Sequence, residues 1–333
     1  MSMNDKMKHT NEDIIFLKEA NYKKNMIDQV RPILEHKRQT GYMDSFDQSK
    51  IYYEYYDTPN EKGTIVISHG FCEFSKKFEE VIYYFLLGGY SVYILDHRGH
   101  GYSQRMVEDK DMVYIRSYDD YVMDFHHFVT KVVLRSEANR KLILYAHSMG
   151  GAIGALYVEQ YPDVFSCAIL SSPMFDMSFG KFPTSFIWLI IKLYQGITSE
   201  KSYIIGHGPF NKVPIYEKSS CLSKERYHYI FSKRIDDENY RTYGASCAWT
   251  IASLRAVRKL HKDAHRYTIP TLLFQAGRDT SVSSRGHSRF VKRASNTKIL
   301  MIPDSKHEIY NANTEIVEDY FRQIFTFLDR SLV

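Results

Sequence analysis

Short runs of apolar, mostly β-branched residues punctuate the chain: TIVIS at 64–68, SVYIL at 91–95, KLILYA at 141–146, SCAIL at 166–170, TLLFQ at 271–275 and KILMI at 298–302. Runs this short and this uniformly apolar suit strands buried on both faces, as in a parallel sheet. Between them, at 76–88, 117–135, 149–160, 249–262, 284–294 and 312–329, apolar residues recur at helical spacing. Strand and helix in alternation predict an α/β fold, a mostly parallel sheet covered by helices on both faces. An earlier stretch, IYYEYYD at 51–57, has the aromatic content of a strand and is expected at a sheet edge.

The rhythm breaks once. About 100 residues separate the strand ending near Ser171 from the one beginning at Thr271, more than a single crossover helix fills. Residues 173–248 are therefore expected to form an inserted helical cap, and a helix near Trp249 to resume the core. The core is then 41–172 with 249–333, and 1–40 is a peripheral helical segment with Asn11 as a helix cap. A chain of 333 residues, 44% hydrophobic and 25% charged, suits one large domain with an insertion.

Cysteine usage and charge narrow the setting. Cys72, Cys167, Cys221 and Cys247 lack the two-residue spacing of zinc or redox pairs and read as reduced, buried thiols. The first residues, MSMNDKMKHTNEDIIF, lack the apolar stretch of an export signal, and the most apolar run, 186–191, is far short of the roughly 20 residues that span a bilayer. A cytoplasmic protein is expected, with peripheral contact on the inner face of the membrane as a candidate. Net charge is +5, and residues 251–300 alone carry eleven lysines and arginines against two aspartates. Arg255, Arg258, Lys259, Lys262 and Arg266 lie on one expected helix; a solvated face is the first reading and contact with anionic lipid the second. No nucleic-acid partner is expected, and oligomeric state is open.

The chemistry concentrates in LILYAHSMGGAIGALYVEQYP, where Ser148 stands directly after a strand and directly before a helix. A serine in such an elbow is strained and exposed to substrate, and the positions two before and two after it must be small because strand and helix approach closely. Ala146 and Gly150 meet that condition, although glycine is the usual residue at the first position. A serine needs a base held in one tautomer by an acid. His307, past the KILMIP strand, is the expected base, and Asp279, past TLLFQAG, the expected acid, with Asp176 as its rival. His147 adjoins the serine but is expected to point away from the hydroxyl. Acyl transfer also needs donors for an oxyanion. The backbone N–H groups of Met149 and of Phe71, in the His69-Gly70-Phe71 loop, are the candidates, with Gly70 allowing a tight turn. Arg98, in Asp96-His97-Arg98-Gly99-His100-Gly101, is expected to brace neighbouring loops. No H-E-x-x-H motif occurs, and neither metal nor cofactor is predicted.

Together HGFCEFS, DHRGHGYS, AHSMGG, AGRDTSV and SKHEIY resemble the lysophospholipase and monoacylglycerol lipase group of α/β-hydrolases, most closely the bacterial lysophospholipase L2 type. The resemblance runs from about Ile51 to the end, and alanine before HSMGG is also a feature of the L2 type. It implies an α/β-hydrolase fold, hydrolysis of a single fatty-acyl ester through an acyl-serine, Ser148, Asp279 and His307 as triad, and Phe71 and Met149 as oxyanion donors. A small lipid or ester is the implied partner. Two alternatives stay open: a peptidase or amidase on the same triad, with Glu217, Glu225 or the 236–238 acidic cluster holding a substrate amine, and a non-catalytic ligand-binding protein. FPTSFIWLIIKLY at 182–194 reads first as cap core and second as an acyl-binding or lipid-facing surface.

Overall fold

In the computed structural model, which describes residues 14–134, 141–178, 182 and 184–332, the apolar runs become the strands of one twisted sheet. In chain order the strands are β1 Arg38–Asp44, β2 Lys50–Tyr56, β3 Thr64–Ser68, β4 Ser91–Leu95, β5 Met112–Val113, β6 Leu142–His147, β7 Cys167–Ser171, β8 Gly244–Ala245, β9 Thr271–Ala276 and β10 Thr297–Ile302. Eight of them are ordered β1-β2-β4-β3-β6-β7-β9-β10, and β5 pairs with β8 in a separate ladder. β2 runs antiparallel to both neighbours, and from β4 to β10 all pairs are parallel. Every residue of β3, β4, β6, β7 and β9 is buried, as strands covered on both faces must be.

The helices are α1 Tyr22–Asn25, α2 Arg31–Lys37, α3 Glu79–Leu87, α4 Tyr118–Phe128, α5 Met149–Gln160, α6 Thr184–Ile197, α7 Lys224–Asp236, α8 Cys247–Asp263, α9 Ser284–Val291 and α10 Thr314–Ser331. Alternation along each strand sends side chains to opposite layers. Val66 joins the layer of α4, α5 and α8, while Ile65 and Ile67 join that of α3 and α10. Helix α5 is buried over nearly its whole length; the small residues of MGGAIGAL let it lie close on the sheet between α4 and α8.

Two expectations change. The 51–57 strand is not at the edge, because β1 pairs with it along its length. RQTGYMD escaped notice because it is itself the edge, with one buried residue and no apolar alternation to read. The apolar stretch 182–194 is not mainly core. In α6, Ile191 is 2% exposed against Cys247 and Ile251, but Leu193 is 65% and Ile197 83% exposed, with Phe186, Trp188 and Leu189 also at the surface. A helix apolar on nearly every side does not reveal in its sequence which side is covered. The expected cap at Asn11 lies outside the described residues.

The excursion between β7 and α8 is fastened unevenly. From α7, the buried Arg226 guanidinium donates to Glu80 Oε2 and Oε1 at 2.9 and 2.7 Å, to the Ala312 carbonyl at 3.0 Å and to that of Leu17 at 3.2 Å. No helix among the described residues is long and apolar enough to cross a membrane.

Candidate active site

Between β6 and α5 the chain turns within one residue, and Ser148 takes φ 50° and ψ −116°, a conformation costly for any residue with a Cβ. Neighbouring backbone holds it there: Ser148 N donates to the Ser171 carbonyl at 3.1 Å, and Met174 N donates to the Ser148 carbonyl at 2.8 Å. A Cβ on Gly150 would lie 2.0 Å from the Ser68 carbonyl oxygen, so only glycine fits where α5 crosses the end of β3.

The loops after β9 and β10 lie side by side because the strands are parallel neighbours, and Arg278 N donates across them to the Ser305 carbonyl at 3.0 Å. This brings Asp279 and His307 to the serine. His307 Nε2 is 2.8 Å from Ser148 Oγ, and His307 Nδ1 is 2.6 Å from Asp279 Oδ2. The other oxygen, Asp279 Oδ1, accepts from Ser281 N at 2.8 Å and Val282 N at 3.0 Å. Burial alone would raise the Asp279 carboxyl; the hydrogen bond and charge of His307 and these two N–H groups outweigh it and hold the group below its ordinary range. Asp176, the rival acid, instead lies against Gly286 and lines a separate hollow with Arg258 and Arg289.

The first turn of α5 presents Met149 N, and the loop after β3 presents Phe71 N; among the described residues neither N–H has an acceptor. The Phe71 ring packs on Trp249 of α8 at 4.2 Å. Behind Phe71 the loop is fixed by groups the sequence did not announce. Glu73 accepts from Gly70 N at 2.5 Å, Lys77 Nζ at 2.8 Å and Tyr310 Oη at 2.5 Å, and lies 3.0 Å from His147 Nδ1. Lys77 also lies 2.8 Å from Glu308, the neighbour of His307. Burial would raise the Glu73 carboxyl, but His147 and Lys77 draw it well below the usual carboxylate range. Gly70 does not owe its place to an unusual turn: a Cβ there would sit 2.7 Å from Glu73 Oε2 and 2.9 Å from His147 Nδ1. The legible signals were an acid inside the aromatic HGFCEFS and a lysine four residues on.

His69 and Arg98 brace this end of the sheet. His69 Nε2 accepts from His97 N at 2.9 Å, which leaves Nδ1 to donate to the Gly70 carbonyl at 2.8 Å; burial pushes this imidazole down to about 4, so it is neutral. Arg98 lies 2.6 Å from Asp124 and 2.9 Å from Asp47, tying the turn after β4 to α4 and to the β1–β2 connection. His147 faces Glu73 and not the Ser148 hydroxyl.

Sheet order, elbow and hydrogen-bonded Ser148–His307–Asp279 set define the class: a serine hydrolase of the α/β-hydrolase fold. The chain belongs to the family described as serine aminopeptidase, S33, which matches residues 59–313. It is 31% identical over 227 residues to lysophospholipase L2 of Escherichia coli K12, a stretch covering 68% of this chain and 66%, just under two thirds, of that protein. It is 28% identical over 276 residues to human monoglyceride lipase, covering 80% of this chain and 82% of that one. Among solved structures, a soluble variant of the Saccharomyces cerevisiae monoglyceride lipase superposes with TM-score 0.68 at 18% identity, over 88% of this chain and 96% of the other. A Bacillus coagulans carboxyl esterase does so with TM-score 0.71 at 18% identity, over 89% and 99%.

Proposed function

We propose that the protein hydrolyses the single acyl ester of a lysophospholipid or monoacylglycerol through an acyl-serine intermediate. The observation that carries this reading is the continuous hydrogen-bonded path from Ser148 Oγ through His307 to Asp279. Ser148 Oγ bonds to the ester carbonyl carbon as its proton passes to His307 Nε2, and Asp279 stabilises the imidazolium. The N–H groups of Phe71 and Met149 stabilise the oxyanion, aided by the positive end of α5. The alcohol leaves with the proton from His307, and water then releases the fatty acid by the same steps in reverse order.

The lipid character of the substrate is supported by the relatives named lysophospholipase and monoglyceride lipase and by α6. Residues 173–248 act in this reading as a cap whose exposed Trp188, Leu193 and Ile197 rest on a lipid surface. The hollow of about 390 Å³ beside Trp188 is lined by Arg255, Arg258 and Arg289, which suits an anionic surface. The protein thus works peripherally at a membrane. A peptidase on the same triad is favoured by the family description alone. It needs a carboxylate for the substrate ammonium: Asp237 accepts from Tyr102 at 2.5 Å and Glu238 pairs with Lys110 at 2.8 Å, while Glu217, Glu225 and Asp236 form no ion pair among the described residues.

The test is one preparation assayed with lysophospholipid, monoacylglycerol, short p-nitrophenyl esters and aminoacyl amides, alongside fluorophosphonate labelling. Labelling lost in Ser148→Ala and preference for the lipid esters are expected. Absence of labelling in folded wild-type protein overturns the enzyme reading, and preference for aminoacyl amides overturns the lipid one.

A further inference from the structure

Beside the oxyanion loop lies a second cavity, of about 400 Å³, which does not include the serine itself. Phe71 forms one wall and Glu308, next to His307, another; the outer wall comes from residues 210–243. It therefore adjoins Phe71, one of the two expected oxyanion donors, and a residue one position from the base that returns a proton to the leaving alcohol. The part of an ester substrate that belongs in such a place is the alcohol half.

Its charges are not balanced. The charged lining residues are Lys77, Lys218, Arg234 and Glu308. Lys77 and Glu308 lie 2.8 Å apart, and Lys77 has Glu73 as a further partner. Lys218 and Arg234 pair with no carboxylate among the described residues. Arg234 is half-buried: it donates to the Cys72 carbonyl, its guanidinium lies 5.7 and 5.6 Å from the rings of Phe74 and Phe210, and its Nε is buried with no acceptor. Lys306 adds a third cation at the margin, where Nζ donates to the carbonyl of Ser219, itself a lining residue, at 3.0 Å. A guanidinium in a partly dry wall is costly to leave unpaired, and its fork of N–H groups matches phosphate oxygens.

From this we infer that Arg234 and Lys218 form a subsite for the phosphodiester of a lysophospholipid head group, making these two residues the determinants of lysophospholipid over monoacylglycerol. The inference rests on the ester-hydrolase reading above. Of the two substrates in that reading, only the lysophospholipid carries an anion on its alcohol half. The glycerol of a monoacylglycerol would expel water from Arg234 and give no charge in return.

The experiment compares kcat/KM for 1-palmitoyl lysophosphatidylglycerol with that for 1-monopalmitoylglycerol, which share an acyl chain, in wild type, Arg234→Gln, Arg234→Lys and Lys218→Gln. The ratio is expected to fall about tenfold or more in Arg234→Gln, as for loss of a charged hydrogen bond, and less in the other two. Lys218, at the surface, supplies the answer if Arg234→Gln does not fold. An unchanged ratio in the folded variants overturns the subsite. Wild type that cleaves the monoacylglycerol but not the phospholipid also overturns it and leaves the ester-hydrolase reading standing, whereas wild type that cleaves neither ends both. Calorimetric titration of Ser148→Ala with inorganic phosphate separates the other source: binding that requires Arg234, with the substrate ratio unchanged, makes this a free-phosphate site and overturns the head-group assignment.

Discussion

The carboxylate of Glu73 accepts the backbone N–H of Gly70 at 2.5 Å, so the acid that gathers Lys77, His147 and Tyr310 also fixes the peptide preceding Phe71. Small displacements of a positioned donor cost rate steeply. Glu73→Gln should lower kcat/KM on a soluble ester about 10- to 100-fold and destabilise the fold by about 3–5 kcal/mol, because Lys77 loses a buried counter-charge. Steady-state kinetics and urea unfolding read both effects. A variant with wild-type kcat would show that Glu73 does not position the loop.

Ser148 carries its strain in the backbone, so the strain is separable from the hydroxyl. Ser148→Gly should be inactive yet more stable than Ser148→Ala by roughly 1 kcal/mol, since alanine keeps the Cβ that φ 50° disfavours. Both variants lose the bond to His307, which makes the alanine form the control. Equal denaturation midpoints would mean that the elbow is not strained.

The exposed apolar residues of α6 make vesicle binding testable without touching the chemistry. Each large aliphatic side chain moved from water to lipid is worth about 1–3 kcal/mol. Leu193→Glu combined with Ile197→Glu should therefore reduce co-sedimentation with anionic vesicles at least about tenfold. Undiminished sedimentation would rule out α6 as the surface that meets the vesicle.

Glu159, buried near the C-terminal end of α5, has an Oε1 atom without a partner, and its carboxyl is pushed up to about 9 by burial, with Asp263 adding to it and Lys259 and Arg266 opposing. The folded protein keeps that proton up to about 9, whereas the unfolded chain releases it near 4.5. Across that interval the unfolded state binds fewer protons, so this group makes stability fall as pH rises. Glu159→Gln removes the slope. Its melting temperature relative to wild type should climb between pH 5 and pH 9, and a constant offset would contradict the buried neutral acid.

Strands with uniform apolar content, such as TIVIS and TLLFQ, were legible because burial on both faces leaves no other composition. The edge strand β1 was not, because an edge has little burial to betray it. At the site, Ser148, Asp279 and His307 were readable from local context, each just past a strand. Glu73 and Lys77 stand four residues apart and were legible as a local pair, but Glu308 joins them only where the loops after β3 and β10 come together. Arg234 and Lys218 were hidden for the same reason: the excursion that carries them has no periodic relation to the sheet. The exposure of α6 depends on what α8 leaves uncovered.

The clamp at Arg226 divides the labour of the excursion. Helix α7 is bolted to α3, to the N-terminal segment and to the loop before α10, so moving it breaks buried charged bonds. Among the described residues, helix α6 is held to the body mainly through Ile191 and its neighbours on α8. Displacing the α7 side of the excursion would therefore cost more than displacing the α6 side. Under the proposed function, drift in the α6 sequence would then alter the acyl and lipid-facing side without disturbing the residues held on the α7 side.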